Sequence, residues 1–142
     1  MNYLKNNVYK EQLYSRQVGV IGKSCMKQLS NLNVLVLHLD TTGFETVKCL
    51  VLMGIHTIYL YDPRIPNATH IGLNIALQKN NHTSIAEQTK KYIDTLNPFV
   101  NVVVVTDYMR ILTDKKINVC IQTNLHKSLD ISSFCHTHHI NY

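Results

Sequence analysis

A short turn after the first strongly apolar run has the position of a phosphate-binding loop but not its composition. The turn reads Asp40, Thr41, Thr42 and Gly43. In nucleotide-binding α/β domains, glycines at this turn let the backbone and a helix N-terminus approach phosphates. Here only Gly43 remains of a GxGxxG pattern, and Asp40 would place a carboxylate close to an incoming phosphate. We therefore interpret the turn as an ordinary strand-to-helix connection, with Asp40 or Thr42 as N-cap, in preference to an altered phosphate loop.

A second acidic residue, Asp62, ends the next apolar run and is the one residue positioned to contact a nucleotide. Many domains of this kind place a carboxylate there to bind a ribose hydroxyl. Pro63 follows directly, and proline also marks the end of a central strand because it cannot donate to the ladder. The sequence leaves both roles of Asp62 open.

The histidines near the end of the chain are competent metal ligands, but their pattern is incomplete. Cys135, His136, His138 and His139 lie close together in the sequence. Structural zinc requires four ligands, and no second cluster with ligand spacing is present. We therefore expect no metal site. His38, in a buried strand, is expected to be a hydrogen-bonded core residue.

The cysteines show no arrangement for disulfides or nucleophilic catalysis. Cys25, Cys49, Cys120 and Cys135 include no CxxC pair, which indicates reduced intracellular thiols. A reactive thiol needs a cationic neighbour and solvent access. The apolar surroundings of Cys49 and Cys120 predict burial, so we expect packing residues.

Length and composition indicate one compact domain, which we expect to be soluble. The chain has 142 residues, is 45% hydrophobic and carries a formal charge of +5. Its basic residues are scattered, so we expect no specific binding of nucleic acid. The apolar runs are too short to span a bilayer, and we expect no membrane role.

Buried-strand and helix patterns alternate along the chain. A helix from Phe44 stops at Gly54, and an amphipathic helix capped by Thr83 ends at Asn97-Pro98. This alternation predicts a Rossmann-like, doubly wound, mostly parallel sheet with helices on both faces. The predicted strands are 33–39, 57–61, 100–106 and 117–123, with an irregular segment at 64–78, a helix at 129–138 and the start of another strand at 140–142.

The segment 13–22, LYSRQVGVIG, followed by MKQL at 26–29 and a buried strand, resembles the opening of the ubiquitin-activating enzymes, within the ThiF/MoeB-like superfamily. The resemblance covers about residues 11–142. Three further stretches keep the order of the family: Gly43-Phe44-Glu45 with Gly54, Ala86-Glu87 with Leu96-Asn97, and Phe134-Cys135-His136.

The resemblance implies an inactive half of a two-part enzyme. Enzymes of this family resemble pairs of related adenylation domains, one active and one degenerate. The YSRQ-type segment belongs to the degenerate N-terminal half. The active half holds ATP and magnesium, whereas Gly72, Leu73 and Asn74 here replace its Asn-Arg-Gln cluster. We expect residues 1–30 to form a helical segment carrying YSRQ, and residues 31–142 to form the inactive adenylation domain, truncated at its C-terminal end. No cofactor is expected in this half.

By the same resemblance, Arg16 reaches in trans to the ATP phosphates of the partner half. The expected partners are that active half and ubiquitin or a similar modifier, and the expected location is cytoplasm and nucleus. Exposed apolar surface is expected on 14–21 and 44–53, where a partner half would cover it. Ser15 and MKQL favour the ubiquitin-type enzyme; a regulatory subunit of a SUMO- or NEDD-type enzyme, an autonomous nucleotide-binding domain and a pure interaction module remain alternatives.

Overall fold

The fold is built on a four-stranded parallel sheet. A computed structural model describes residues 2–79, 82–114, 116–124 and 128–142. The strand order is β3-β2-β1-β4, and every neighbouring pair is parallel. A further parallel bridge joins Val119 to Asn141, where the sequence predicted the start of another strand. The strands are β1 Asn33–Leu37, β2 Thr57–Tyr61, β3 Asn101–Val104 and β4 Val119–Gln122.

Helices cover both faces of the sheet, which confirms the predicted fold class. In β1, Val34 and Val36 pack into one apolar cluster, and Leu35 and Leu37 into another on the opposite face. Burial on both faces explains why the central strands are continuously apolar. The helices are α1 Asn2–Leu29, α2 Thr41–Met53, α3 Ala68–Leu73, α4 Ile85–Ile93, α5 Tyr108–Asp114 and α6 Ser128–Thr137.

The structure corrects several local predictions. The N-cap of α4 is Ser84 and not Thr83, because Ser84 alone of the two has a glutamate three residues later. The Ser84 Oγ accepts from the Glu87 backbone N–H at 3.2 Å, and the Ser84 N–H donates to the Glu87 carboxylate at 2.8 Å. The segment predicted as irregular contains α3, and α5 was not predicted at all.

Two predictions of burial were wrong. Cys49 is exposed, because it lies on the side of α2 opposite the buried Phe44, Val47 and Val51. His38 lies just past the end of β1, half-buried, in a left-handed backbone conformation with φ of 65°. It is therefore a turn residue and not a core strand residue.

Helix α1 changes direction at Gly22, where φ is 82° and ψ is 160°. Such values lie outside the helical region, and glycine adopts them without steric cost. Within the described ranges, no helix combines the length and apolarity needed to cross a membrane.

Candidate functional site

An arginine that sequence reasoning missed occupies the carboxyl end of the sheet. Arg64 donates from Nη2 to Asp62 Oδ2 at 2.7 Å and from Nε to Asp62 Oδ1 at 2.9 Å. Its Nη2 also donates to Asp40 Oδ1 at 2.8 Å. The Arg64 guanidinium thus forms a bidentate pair with Asp62 and a single hydrogen bond to Asp40. A charge-assisted pair of this geometry is among the stronger hydrogen-bonded contacts in proteins.

The Asp62 side chain is completely buried, and the chain itself supplies its hydrogen-bond donors. Besides the guanidinium, the Leu39 N–H donates to Oδ2 at 2.8 Å and the Arg64 N–H to Oδ1 at 3.2 Å. Burial raises the pKa of Asp62, but the hydrogen bonds from Arg64 and Leu39 outweigh it and hold the pKa below its ordinary value. The same carboxylate raises the pKa of Arg64, so the pair is fully charged at neutral pH.

The contacts of Asp40 bear on how the turn is built. Asp40 occupies the N-cap position of α2, but its side chain makes no capping hydrogen bond. The carboxylate binds Arg64 instead, across a separation of 24 residues. Asp62 likewise accepts from Arg64 and from the Leu39 N–H just past β1, so both acids are engaged in hydrogen bonds within the chain.

Gly43 is needed for packing. A Cβ at this position would overlap the carbonyl oxygen of His38 and would lie 3.0 Å from Thr123 Oγ1. Thr123 Oγ1 itself donates to the His38 carbonyl oxygen at 3.0 Å. The glycine therefore lets the first turn of α2 approach the end of β1, as the third glycine of the dinucleotide fingerprint does.

A cavity of about 250 Å³ remains beside this turn. Among the described residues that line it, none is a lysine or an arginine; they are Leu39, Asp40, Thr41, Thr69, His70, Leu73, Asn74 and Leu77. His70 Nδ1 accepts from the Asn67 N–H at 3.2 Å, which requires an unprotonated nitrogen. The Asn74 Nδ2 is buried without a hydrogen-bond partner among the described residues. Gly72 and Leu73 lie on α3, and Leu73 is 61% exposed.

The YSRQ segment lies on α1, and its residues face different ways. Tyr14 is buried, whereas Ser15 and Arg16 are exposed. Gln17 Nε2 donates to the Leu52 carbonyl oxygen at 3.0 Å. Arg16 makes no salt bridge to Glu11 or to any other described acidic residue, so its guanidinium is directed to the surface without an internal ion-pair partner.

Apolar side chains surround Arg16. Val20 is 85% exposed, and Leu52, at the end of α2, is 49% exposed. A groove of about 330 Å³ lies between these helices, lined by Arg16, Gln17, Val20, Ile21, Leu29 and Met53. Exposed apolar surface is thus present on both segments for which the sequence predicted it, beside the one arginine of the motif.

Within the part of the chain that the structure describes, no three side chains that could ligate a metal lie together, the histidines near the end of the chain included. Cys135 is buried, and burial raises the pKa of its thiol and that of Cys120. His138 stacks on Phe134 with ring centroids 4.0 Å apart.

Comparisons with known proteins identify the relatives of this chain. No protein-family profile matches it. It is 34% identical over 141 residues to "Ubiquitin-activating enzyme E1 1" of Schizosaccharomyces pombe, covering 96% of this chain and 14% of that protein. It is 33% identical over 131 residues to the human "Ubiquitin-like modifier-activating enzyme 7", covering 90% of this chain and 13% of that protein. The chain therefore spans a small part of these relatives.

Solved structures show the same fold. The Escherichia coli tRNA N6-threonylcarbamoyladenosine dehydratase TcdA in complex with AMP superposes with a TM-score of 0.81 at 19% identity, over 92% of this chain and 56% of that one. Its complex with ATP gives the same TM-score over 57% of that chain. By sequence, the chain is a homologue of the ubiquitin-activating enzymes and matches one segment of them.

Proposed function

We propose that this chain is the catalytically degenerate adenylation half of a ubiquitin-activating enzyme. It pairs with a second, active half, which adenylates the carboxylate of a modifier with ATP before transfer to a cysteine elsewhere in the enzyme. The chain itself binds no nucleotide. Its contribution is a partner surface and one residue, Arg16, that contacts ATP phosphates in the active half.

The observation that carries this proposal is the ion-pair bridge from Arg64 to Asp62 and Asp40. It lies at the carboxyl ends of the strands, where Rossmann-like domains bind their ligands. Opening it would leave the buried Asp62 carboxylate with one strong partner fewer, which costs about 1–3 kcal/mol once the partial exposure of Arg64 is allowed for. A phosphate would gain little there, because Asp40 repels it and no described lysine or arginine lines the adjoining cavity.

The position of Arg16 supports the second part of the proposal. It is exposed beside apolar residues, where a partner would cover it. A guanidinium is permanently charged and can hold two phosphate oxygens at once. An arginine supplied across an interface also makes catalysis depend on correct pairing of the two halves.

Calorimetric titration of the isolated chain with ATP and Mg²⁺ tests the first part. We expect no binding heat at ATP concentrations up to the millimolar range, and no ATP:pyrophosphate exchange. Micromolar binding would favour the alternative, an autonomous nucleotide-binding domain. A variant with Asp40→Ala separates charge repulsion from loop geometry: under our proposal it gains no measurable affinity, since the glycines are still missing and Arg64 stays paired with the buried Asp62.

The second part is tested in the full-length enzyme. Removing a preorganised charge contact to a reacting group slows a reaction by about a hundredfold to a thousandfold. Arg16→Ala should therefore slow adenylation by that factor, and Arg16→Lys should restore part of the rate, because it keeps the charge but not the two-pronged grip.

A further inference from the structure

We infer that Tyr14 and Asn97 are positioning residues that set where α1 presents Arg16 to the partner half. The inference rests on the proposed function, because it concerns the geometry of an arginine that acts across an interface. The YSRQ segment has two faces. Tyr14 and Gln17 are three residues apart, so they share one face of the helix, and Arg16 lies on another.

Tyr14 and Gln17 fasten α1 to the end of α2. The Tyr14 hydroxyl accepts from Asn97 Nδ2 at 2.6 Å, and Gln17 Nε2 donates to the Leu52 carbonyl oxygen at 3.0 Å. Both contacts reach the last turn of α2, since Asn97 Nδ2 also donates to the Val51 carbonyl oxygen at 2.7 Å. The Val51 carbonyl oxygen also accepts from the Gly54 N–H at 3.0 Å, so Asn97 adds a second hydrogen bond to the end of α2.

Asn97 joins α1, α2 and the turn before β3 through one side chain. It is 2% exposed, and its two donor hydrogens go to Tyr14 and Val51. Its Oδ1 accepts from the Phe99 N–H at 3.1 Å. A buried side chain whose donors and acceptor are all used has one orientation, because any rotation leaves polar atoms unpaired. The hydroxyl of Tyr14 is therefore held at a fixed point relative to α2.

Gly54 packs against Tyr14 and completes the contacts that hold it, which we call the Tyr14 anchor. It ends α2 in a left-handed conformation with φ of 79°, and a Cβ there would lie 2.5 Å from the Tyr14 ring and hydroxyl. The tyrosine thus fits directly against the backbone of the helix end. Arg16 follows Tyr14 by two residues in the same helix. The fixed position of the tyrosine ring therefore fixes the position of the Arg16 backbone. A misplacement of about 1 Å at a reacting site can cost on the order of a hundredfold in rate.

A double-mutant cycle in the full-length enzyme tests the inference. Tyr14→Phe keeps the ring against Gly54 and removes the hydroxyl that Asn97 contacts. We expect Tyr14→Phe to slow ATP:pyrophosphate exchange about tenfold in the parent. In the Arg16→Ala background the same change should slow it less than about twofold, because the residue acts through an arginine that is no longer there. Tyr142→Phe is the matched control, since that hydroxyl donates to Gln122 at 3.0 Å on an exposed residue; it should leave the rate unchanged.

The outcomes separate the inference from the proposed function. If Tyr14→Phe leaves the parent rate unchanged, or slows both backgrounds by equal factors, Tyr14 does not act through Arg16 and the inference is overturned. If Arg16→Ala itself has no effect, the proposed role of Arg16 fails first. Thermal unfolding of each variant is measured alongside, and a cycle that is non-additive in rate but additive in unfolding midpoint supports positioning over a general loss of stability.

Discussion

Replacing Gly54 by alanine adds only one methyl group, but we expect it to destabilise the fold strongly. Two costs combine at this position. The residue has φ of 79°, and an L-residue held there costs about 1–2 kcal/mol. The new Cβ would also lie 2.5 Å from the Cζ and hydroxyl of Tyr14, which is itself only 6% exposed. Displacing a packed side chain costs about 1–3 kcal/mol, so we expect a total of about 2–5 kcal/mol.

Urea unfolding of the Gly54→Ala chain, followed by circular dichroism, measures this loss. Gly19→Ala is the matched control, because Gly19 lies in α1 and a Cβ there meets nothing within 4 Å. That control should be stabilised by about 0.5–1 kcal/mol, since glycine weakens a helix interior. Adding Tyr14→Ala to Gly54→Ala should leave only the backbone strain as the cost of the glycine substitution. If Gly54→Ala unfolds at the same urea concentration as Gly19→Ala, the contact with Tyr14 and the strain have both been misjudged.

Three further results follow from the structure. Gly43→Ala should lower the free energy of unfolding by about 1–3 kcal/mol, because its Cβ would overlap the His38 carbonyl oxygen; an unchanged urea midpoint would refute that packing. Arg64→Ala should destabilise the chain at pH 7 by about 1–3 kcal/mol, discounted for the partial exposure of Arg64, and this difference should shrink as the pH falls below 3.8, the ordinary pKa of Asp62. The ionised Asp62, whose pKa is lowered in the folded chain, stabilises the fold above pH 3.8, and this stabilisation is lost as the carboxylate is protonated. A pH-independent difference would contradict this reasoning. The isolated chain should self-associate as its concentration rises, and Val20→Gln should reduce this in sedimentation velocity, whereas a strictly monomeric parent would count against a partner surface there.

The sheet was predictable because its strands are buried on both faces. Val34 to Leu37 are apolar in succession, so no register or partner had to be known to recognise β1. The short helices were harder. Helix α5 has seven residues and buries only Leu112 among them, so its sequence carries little periodic signal.

The site was less predictable, because its contacts are distant in sequence. Asp62 was recognised from its place at a strand end, but the binding of Asp40 and Asp62 by one arginine depends on the crossover that brings two strand ends together. Arg64 follows Asp62 by two residues, and that proximity was the one available signal. The Tyr14 anchor likewise joins residues 83 positions apart, and no local pattern encodes it.

In the function proposed above, this chain supplies Arg16 to the active site of a partner half. The most direct measurement is the rate of ATP:pyrophosphate exchange by the full-length enzyme carrying Arg16→Ala, with ubiquitin present, at both low and saturating ATP. We predict a rate about a hundredfold to a thousandfold below the parent, with partial recovery in Arg16→Lys and an unchanged thermal unfolding midpoint. Exchange at the parent rate at both ATP concentrations would contradict the account and leave this chain a scaffold without a catalytic contribution.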